Sequence, residues 1–238
     1  MDKKLNISII VTYVGIYIAV NVLAILFLLI TGNTFLDADG YPTMTFSAVF
    51  NLVFYIALAT GIITVAHSYL KDKELPRIKD DVSGFIGYSI GGFFMLYASQ
   101  FLAGMLGSIF KWVDTSVNQE GLIEIAGDSI ISVISLVIFA VLLAPIVEEI
   151  VFRKAVYDLV LPSIKPIGAI LVSASLFAAI HVVGEEFTSF ASLGAVVPYL
   201  FMGIALGFLY HVSKRRIFIP IAAHMLWNLL AILVLFFV

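Results

Sequence analysis

Long apolar runs separated by short polar segments dominate this sequence. Seven runs contain almost no charged residues, and each holds a stretch of about 20 residues, the length that crosses a bilayer core of roughly 30 Å. The runs cover residues 5–36, 40–70, 82–110, 129–147, 166–184, 187–213 and 217–238. They are too long and too uniformly apolar for the strands of a membrane barrel. The pattern therefore predicts an all-α fold, a polytopic transmembrane helix bundle with about seven spans.

The composition supports this fold class. Of 238 residues, 62% are hydrophobic and 12% are charged, whereas globular proteins have about 25% charged residues. The absence of cysteine excludes disulfides and thiolate chemistry. The opening MDKKLN precedes an apolar run that is longer than that of a signal peptide, so we expect a retained first span.

The basic residues predict the orientation. Ten of the 13 Lys and Arg residues fall in segments that alternate onto one side of the predicted bundle. These are Lys3, Lys4, Lys71, Lys73, Arg77, Lys79, Lys165, Lys214, Arg215 and Arg216. The opposite loops contain Lys111 with Asp37, Asp39, Asp114, Glu120, Glu124, Asp128, Glu185 and Glu186. By the positive-inside rule, the N-terminus is cytoplasmic and the C-terminus is outside.

The segment APIVEEIVFRKAV, residues 144–156, places charges directly after an apolar run. If the span ended at Val147, Glu148 and Glu149 would be solvated surface residues. However, the apolar helical pattern continues without a further breaker to Pro162, so we predict that the helix runs on to a turn there.

Counting from the turns places the polar residues at one depth. At 1.5 Å per residue, Glu149 lies about 20 Å before the turn at 162–166, and His181 lies about 22 Å after it. His224 and Asn228 lie about 12 to 18 Å from the basic end of the last span. Ionisable residues inside a membrane are costly and usually functional. A shared layer therefore indicates a site.

Residues four apart on a helix share a face. Three such pairs are Glu149 with Arg153, Phe177 with His181, and His224 with Asn228. Glu148 is turned about 100° from Glu149, so we expect the two carboxylates to have different surroundings. Phe177 is interpreted as a packing residue that shapes the cavity.

These residues resemble a known pattern. EEIVFR (148–153), FAAIH (177–181) and HMLWN (224–228) resemble the EExxxR, FxxxH and HxxxN motifs of the CAAX-processing endopeptidase and bacteriocin-processing family of intramembrane proteases, also called CPBP or Abi. The resemblance covers about residues 125–238, which correspond to a four-helix catalytic core. Residues 1–124 would supply three further N-terminal spans.

The resemblance implies an intramembrane endopeptidase. In it, Glu148 would activate a water molecule with the help of His181, and His224 and Asn228 would stabilise the oxyanion. Chemistry permits this assignment, because peptide hydrolysis needs a base for water and donors aimed at the developing negative charge.

The same resemblance implies that Glu149 and Arg153 support the site, and it favours a mechanism without a metal. A zinc ion held by His181, His224 and one glutamate is the alternative. No HExxH motif is present to support it, so we expect no cofactor.

Two glycine motifs have a simpler interpretation. GYSIG (87–91) matches GxSxG, but a nucleophile elbow needs a strand before the serine, and this motif lies in an apolar span. We interpret Gly87 and Gly91 as a helix-packing face, and GIALG (203–207) in the same way.

The predicted substrate is a peptide or protein tail cut at the cytoplasmic side of a bacterial plasma membrane, with a peptide precursor or a lipidated tail as candidates. Membrane lipids are expected partners and nucleic acid is not. A non-catalytic relative that acts in bacteriocin self-immunity, or regulates a membrane partner, is the alternative. A transporter is disfavoured because no internal repeat is evident.

Overall fold

Eight helices form the part of the chain that the computed structural model describes, residues 2–112 and 116–237. They are α1 (Lys3–Thr31), α2 (Met44–Asp80), α3 (Val82–Phe110), α4 (Val117–Asp128), α5 (Ile130–Val160), α6 (Pro166–His181), α7 (Phe190–Val212) and α8 (Phe218–Phe237). No strand is present in these ranges. The predicted all-α, polytopic helix bundle is confirmed.

Six of the eight helices are long and apolar enough to cross a membrane: α1, α2, α3, α5, α7 and α8. The run predicted at 166–184 forms α6, which has only 16 residues. This helix stops at His181 because Val182 leaves the helical conformation and Gly184 adopts a φ of 96°. Of the residues used above, Asp114 and Val238 lie outside the described part of the chain.

The basic segments meet at one end of the bundle, as the alternation predicts. The Arg77 guanidinium donates hydrogen bonds to the carbonyl oxygens of Lys214, at 2.7 Å, and Arg215, at 3.3 Å. Lys154, near the end of α5, donates to Asn6 Oδ1, near the start of α1, at 2.9 Å. We call this the basic end. That it faces the cytoplasm stays a prediction.

Asp81 caps α3 at the basic end. Its carboxylate accepts hydrogen bonds from the backbone N–H of Gly84, at 2.9 Å, and from Arg216, at 2.7 Å. These two donors, with Gly84 the stronger influence, lower the pKa of the Asp81 carboxyl below its ordinary value. The cap therefore connects the start of α3 to the segment before α8.

Helix α5 continues through Pro145, a residue that normally breaks a helix. A proline has no N–H, and its ring crowds the carbonyl group four residues earlier. In α5, wider π-helical turns at Val137–Leu143 and Ile150–Tyr157 flank the α-helical turn Ala144–Glu149. The helix thus reaches Val160, as predicted, and carries both glutamates in a short α-helical segment between two π-helical ones.

Close packing centres on α5, which contacts α1, α2, α6 and α8, while α3 packs against α7 and α8. The small residues of 203–207 serve this packing. A Cβ at Gly203 would lie 2.9 Å from the Ala174 backbone, so α7 approaches α6 closely only with glycine there. The packing interpretation of this motif is confirmed.

The packing interpretation of GYSIG is wrong for the described chain. A Cβ at Gly87 or Gly91 would meet no atom within 4 Å. Both glycines instead line an open, apolar cavity of about 320 Å³ between α3 and α7. Gly87 and Gly91 lie on a side of α3 that faces away from its neighbours. The side that packs contains Gly92, where a Cβ would collide with Leu209.

Candidate active site

The three sequence motifs converge on Glu148. His181 Nε2, at the end of α6, lies 3.9 Å from Glu148 Oε1. His224 Nε2, on α8, lies 3.9 Å from Glu148 Oε2. One imidazole therefore faces each oxygen of the carboxylate, and the shared depth predicted from the helix lengths corresponds to a real cluster.

Both histidines are oriented by their other ring nitrogen. His181 Nδ1 lies 2.8 Å from the carbonyl oxygen of Phe177, one turn earlier in α6. Because a carbonyl can only accept, Nδ1 carries the proton and Nε2 is the atom turned to Glu148. His224 Nδ1 lies 3.0 Å from Glu149 Oε1, so this ring also turns its Nε2 toward Glu148.

Glu149 has a different environment from Glu148, as the 100° rotation predicts. Its Oε2 lies 3.0 Å from Arg153 Nε, and both side chains are fully buried. The N–H of Nε does not point at the oxygen, so the contact is an ion pair without hydrogen-bond geometry. His224 therefore contacts both glutamates, and Arg153 contacts only the second one.

Phe177 shapes this cluster by packing. Its ring is fully buried, and the Arg153 guanidinium carbon lies 4.7 Å from the ring centroid. The rings of Phe177 and His181 are 4.4 Å apart. A cation over an aromatic face is favourable, and more so away from water. Phe177 thus packs against both Arg153 and the histidine at the end of α6.

Exposure falls steadily across the cluster. The side chain of His181 is 15% exposed, that of Glu148 is 5% exposed, and Glu149 and Arg153 have no exposed surface. His181 is therefore the most exposed member of the cluster.

Asn228 has a structural partner that the sequence did not reveal. Its Nδ2 donates to the carbonyl oxygen of Ala140 at 2.8 Å. In the π-helical turn, the N–H of Ala144 donates to the carbonyl oxygen of Phe139, five residues earlier. By the same pattern the carbonyl oxygen of Ala140 would accept from residue 145, but Pro145 has no N–H. Asn228 supplies the missing donor. One of its two amide hydrogens is therefore used by α5.

Two tyrosines complete the surroundings of the cluster. Tyr55, on α2, donates its hydroxyl to Glu148 Oε1 at 3.2 Å. The ring of Tyr199, on α7, stacks on His181 at 4.5 Å, and its hydroxyl lies 3.0 Å from both Ser116 Oγ and Asn118 Nδ2. The sequence contains ten tyrosines, and no spacing marks these two.

The donor set fits a tetrahedral zinc ion poorly. Bonds of about 2.0–2.1 Å from zinc would place ligand atoms about 3.3 Å apart, whereas both Nε2 atoms lie 3.9 Å from the Glu148 oxygens. Within the described ranges, no group of three His, Cys, Asp or Glu side chains meets the geometry of a metal site.

Comparison with known proteins matches the same part of the chain. Residues 130–230 match the family model described as type II CAAX prenyl endopeptidase Rce1-like. The chain is 27% identical over 196 residues to "Putative membrane peptidase YdiL" of Bacillus subtilis (strain 168), covering 80% of this chain and 75% of that protein. It is also 27% identical over 194 residues to "UPF0177 protein YvdC" of Lactococcus lactis subsp. lactis (strain IL1403), covering 79% and 67% of the two chains. No solved structure gives a significant match.

Proposed function

We propose that this multi-pass membrane protein is an intramembrane endopeptidase, because residues 130–230 match the family model described as type II CAAX prenyl endopeptidase Rce1-like. In this proposal, it hydrolyses a peptide or protein tail with a water molecule activated by Glu148. The observation that carries the mechanism is the position of that carboxylate between two oriented imidazoles, each 3.9 Å away.

Glu148 and His181 would bind the attacking water together. A separation of 3.9 Å is too long for a direct hydrogen bond but suits two groups that share a water. Glu148 would accept a proton as the water oxygen bonds to the peptide carbonyl carbon. The same proton would then pass to the nitrogen of the leaving amine as the C–N bond breaks.

His224 would stabilise the oxyanion as an imidazolium. With Nδ1 held by Glu149 at 3.0 Å, its Nε2 can donate only when the ring is protonated. The Glu149 carboxylate, itself 3.0 Å from Arg153 Nε, would hold the ring in this orientation. Asn228 would add the amide hydrogen that Ala140 does not use.

The proposed substrate is a peptide precursor or a lipidated protein tail. The sequence predicts cleavage at the cytoplasmic side of the membrane.

The test compares wild type with Glu148→Gln in lipid vesicles that contain candidate peptides. Loss of the base is expected to slow cleavage by about 10²–10⁴-fold, while Glu124→Gln, the same change at an exposed position of α4, is expected to have no effect. Cleavage by Glu148→Gln at the wild-type rate would refute the proposal. A chelator is expected to leave the rate unchanged, and a chelator-sensitive rate would support zinc instead.

The same pair of variants separates catalysis from binding in cells. A non-catalytic immunity protein or regulator would keep its phenotype in Glu148→Gln, provided that the variant reaches the membrane at the wild-type level. A protease would lose it.

A further inference from the structure

Tyr55 lies outside both the sequence motifs and the family match, yet its hydroxyl reaches the proposed base. We propose that Tyr55 is a positioning residue, whose hydrogen bond to Glu148 Oε1 fixes the rotation of that carboxylate. This inference rests on the proposed role of Glu148 in hydrolysis. It assigns a specific part in the site to α2, one of the N-terminal spans.

The two glutamates are held in different ways. Glu149 is fixed by Arg153 on one oxygen and by His224 on the other, each at 3.0 Å. Among the described residues, the Tyr55 hydroxyl is the one hydrogen-bond donor within 3.5 Å of the Glu148 carboxylate, because both imidazole nitrogens lie 3.9 Å from its oxygens. Tyr55 is thus what orients the Glu148 carboxylate directly.

This orientation has a chemical consequence. The terminal torsion of a glutamate side chain is soft, so an unrestrained carboxylate samples a broad range of rotations. With Oε1 held by Tyr55, Oε2 is directed toward His224. Positioning a reacting group before the reaction accounts for a large part of many rate enhancements. Loss of the hydroxyl is therefore expected to reduce turnover rather than substrate binding.

The tyrosine itself is fixed by packing. Its ring stacks on Phe139 with centroids 5.9 Å apart and planes 9° apart, and it meets Phe54 edge-on at 5.4 Å. Phe139 belongs to the π-helical turn that precedes Pro145. The hydroxyl therefore has a defined position relative to α5, and Tyr55→Phe removes that hydroxyl while retaining the ring contacts.

The experiment measures kcat and KM for a cleaved peptide in vesicles containing Tyr55→Phe. A hydrogen bond to a charged group corresponds to about a 10- to 100-fold change, so we expect kcat to fall by about that factor with KM unchanged. Tyr97→Phe is the matched control, since Tyr97 is 54% exposed and its ring contacts Trp227. An unchanged kcat in Tyr55→Phe, or a rise in KM alone, would overturn the proposal.

Infrared spectroscopy tests the hydrogen bond without any activity. The carboxylate stretching band of Glu148 is identified by its loss in Glu148→Gln. We expect that band to shift in Tyr55→Phe and to stay in place in Tyr97→Phe. An unshifted band contradicts the inference even if the protein is a protease, whereas a shifted band in a protein that cleaves nothing contradicts only the proposed function.

A second substitution covers the case in which Tyr55→Phe does not fold. Placing 3-fluorotyrosine at position 55 keeps the hydroxyl and makes it a stronger donor. The Glu148 band is then expected to shift in the direction opposite to that caused by losing the hydrogen bond, judged against the same label at position 97. No shift at position 55 would overturn the proposal.

Discussion

Arg153→Met tests whether the buried ion pair under the site supports the fold. Arg153 is fully buried, its Nε lies 3.0 Å from Glu149 Oε2, and its guanidinium carbon lies 4.7 Å from the Phe177 ring centroid. Methionine keeps much of the apolar volume but removes the charge. Glu149 would then be a buried carboxylate without its cation.

The expected loss is large because the partner stays behind. Removing one member of a buried ion pair costs about 3–5 kcal/mol, and each kcal/mol shifts the melting temperature of a chain of this size by about 2–4 °C. We therefore expect Arg153→Met to lower the melting temperature by about 6–20 °C. Adding Glu149→Gln removes the uncompensated charge, so the double variant is expected to recover part of this loss.

Thermal unfolding in detergent, followed by circular dichroism, measures these shifts. Arg215→Met is the matched control, because Arg215 is 41% exposed and lies 3.5 Å from Asp158. The buried partner Asp158 keeps its second cation, Lys154, at 2.9 Å, so this change is expected to move the melting temperature little. Equal shifts of the melting temperature for Arg153→Met and Arg215→Met would refute the reasoning. So would a lower melting temperature for the double variant, Arg153→Met with Glu149→Gln, than for Arg153→Met alone.

Three further predictions concern the fold and its orientation. The pKa of the Asp81 carboxyl is lowered in the folded protein, so the stabilisation from this carboxylate is present above the unfolded pKa of about 3.9 and is lost as the pH falls through the lower folded value. Asp81→Asn should therefore lower the melting temperature at neutral pH and make that temperature less dependent on acid pH. An unaltered acid dependence would contradict this. Gly203→Val should prevent folding by separating α6 from α7, whereas Gly91→Val should be tolerated, as measured by the yield of monodisperse protein; equal yields would contradict the packing account. In this cysteine-free chain, an impermeant thiol reagent should label Lys73→Cys only from the cytoplasm and Asp39→Cys only from outside, and the reverse pattern would invert the predicted orientation.

Local spacing made part of the site predictable. A helix places residues four apart on one face, so the contact of Glu149 with Arg153 follows from the sequence once the segment is known to be helical. Counting residues from the turn after α5 likewise brought His181 level with the glutamates. Both inferences need only the geometry of a single helix or of two helices joined by a short turn.

Contacts between distant helices were not predictable in the same way. Tyr55 reaches Glu148 only because α2 packs on α5 at one particular rotation, and a uniformly apolar span carries no pattern that specifies rotation. The partner of Asn228 depends on a π-helical turn before Pro145, which no residue spacing announces. The orientation of Gly87, away from the neighbouring helices, was also not predictable, because a glycine in an apolar span does not indicate which side of its helix packs against another helix.

The proposed mechanism predicts which molecule receives the oxygen atom of the attacking water. In a single turnover in ¹⁸O-water, with excess enzyme and a peptide that wild type cleaves and Glu148→Gln does not, an activated water adds one ¹⁸O atom to the new carboxyl terminus. Mass spectrometry of the product and of the enzyme fragment containing Glu148 reads both sites. We predict one ¹⁸O in the product and none in Glu148; a product without ¹⁸O together with a labelled Glu148 would show that the carboxylate attacks the peptide itself.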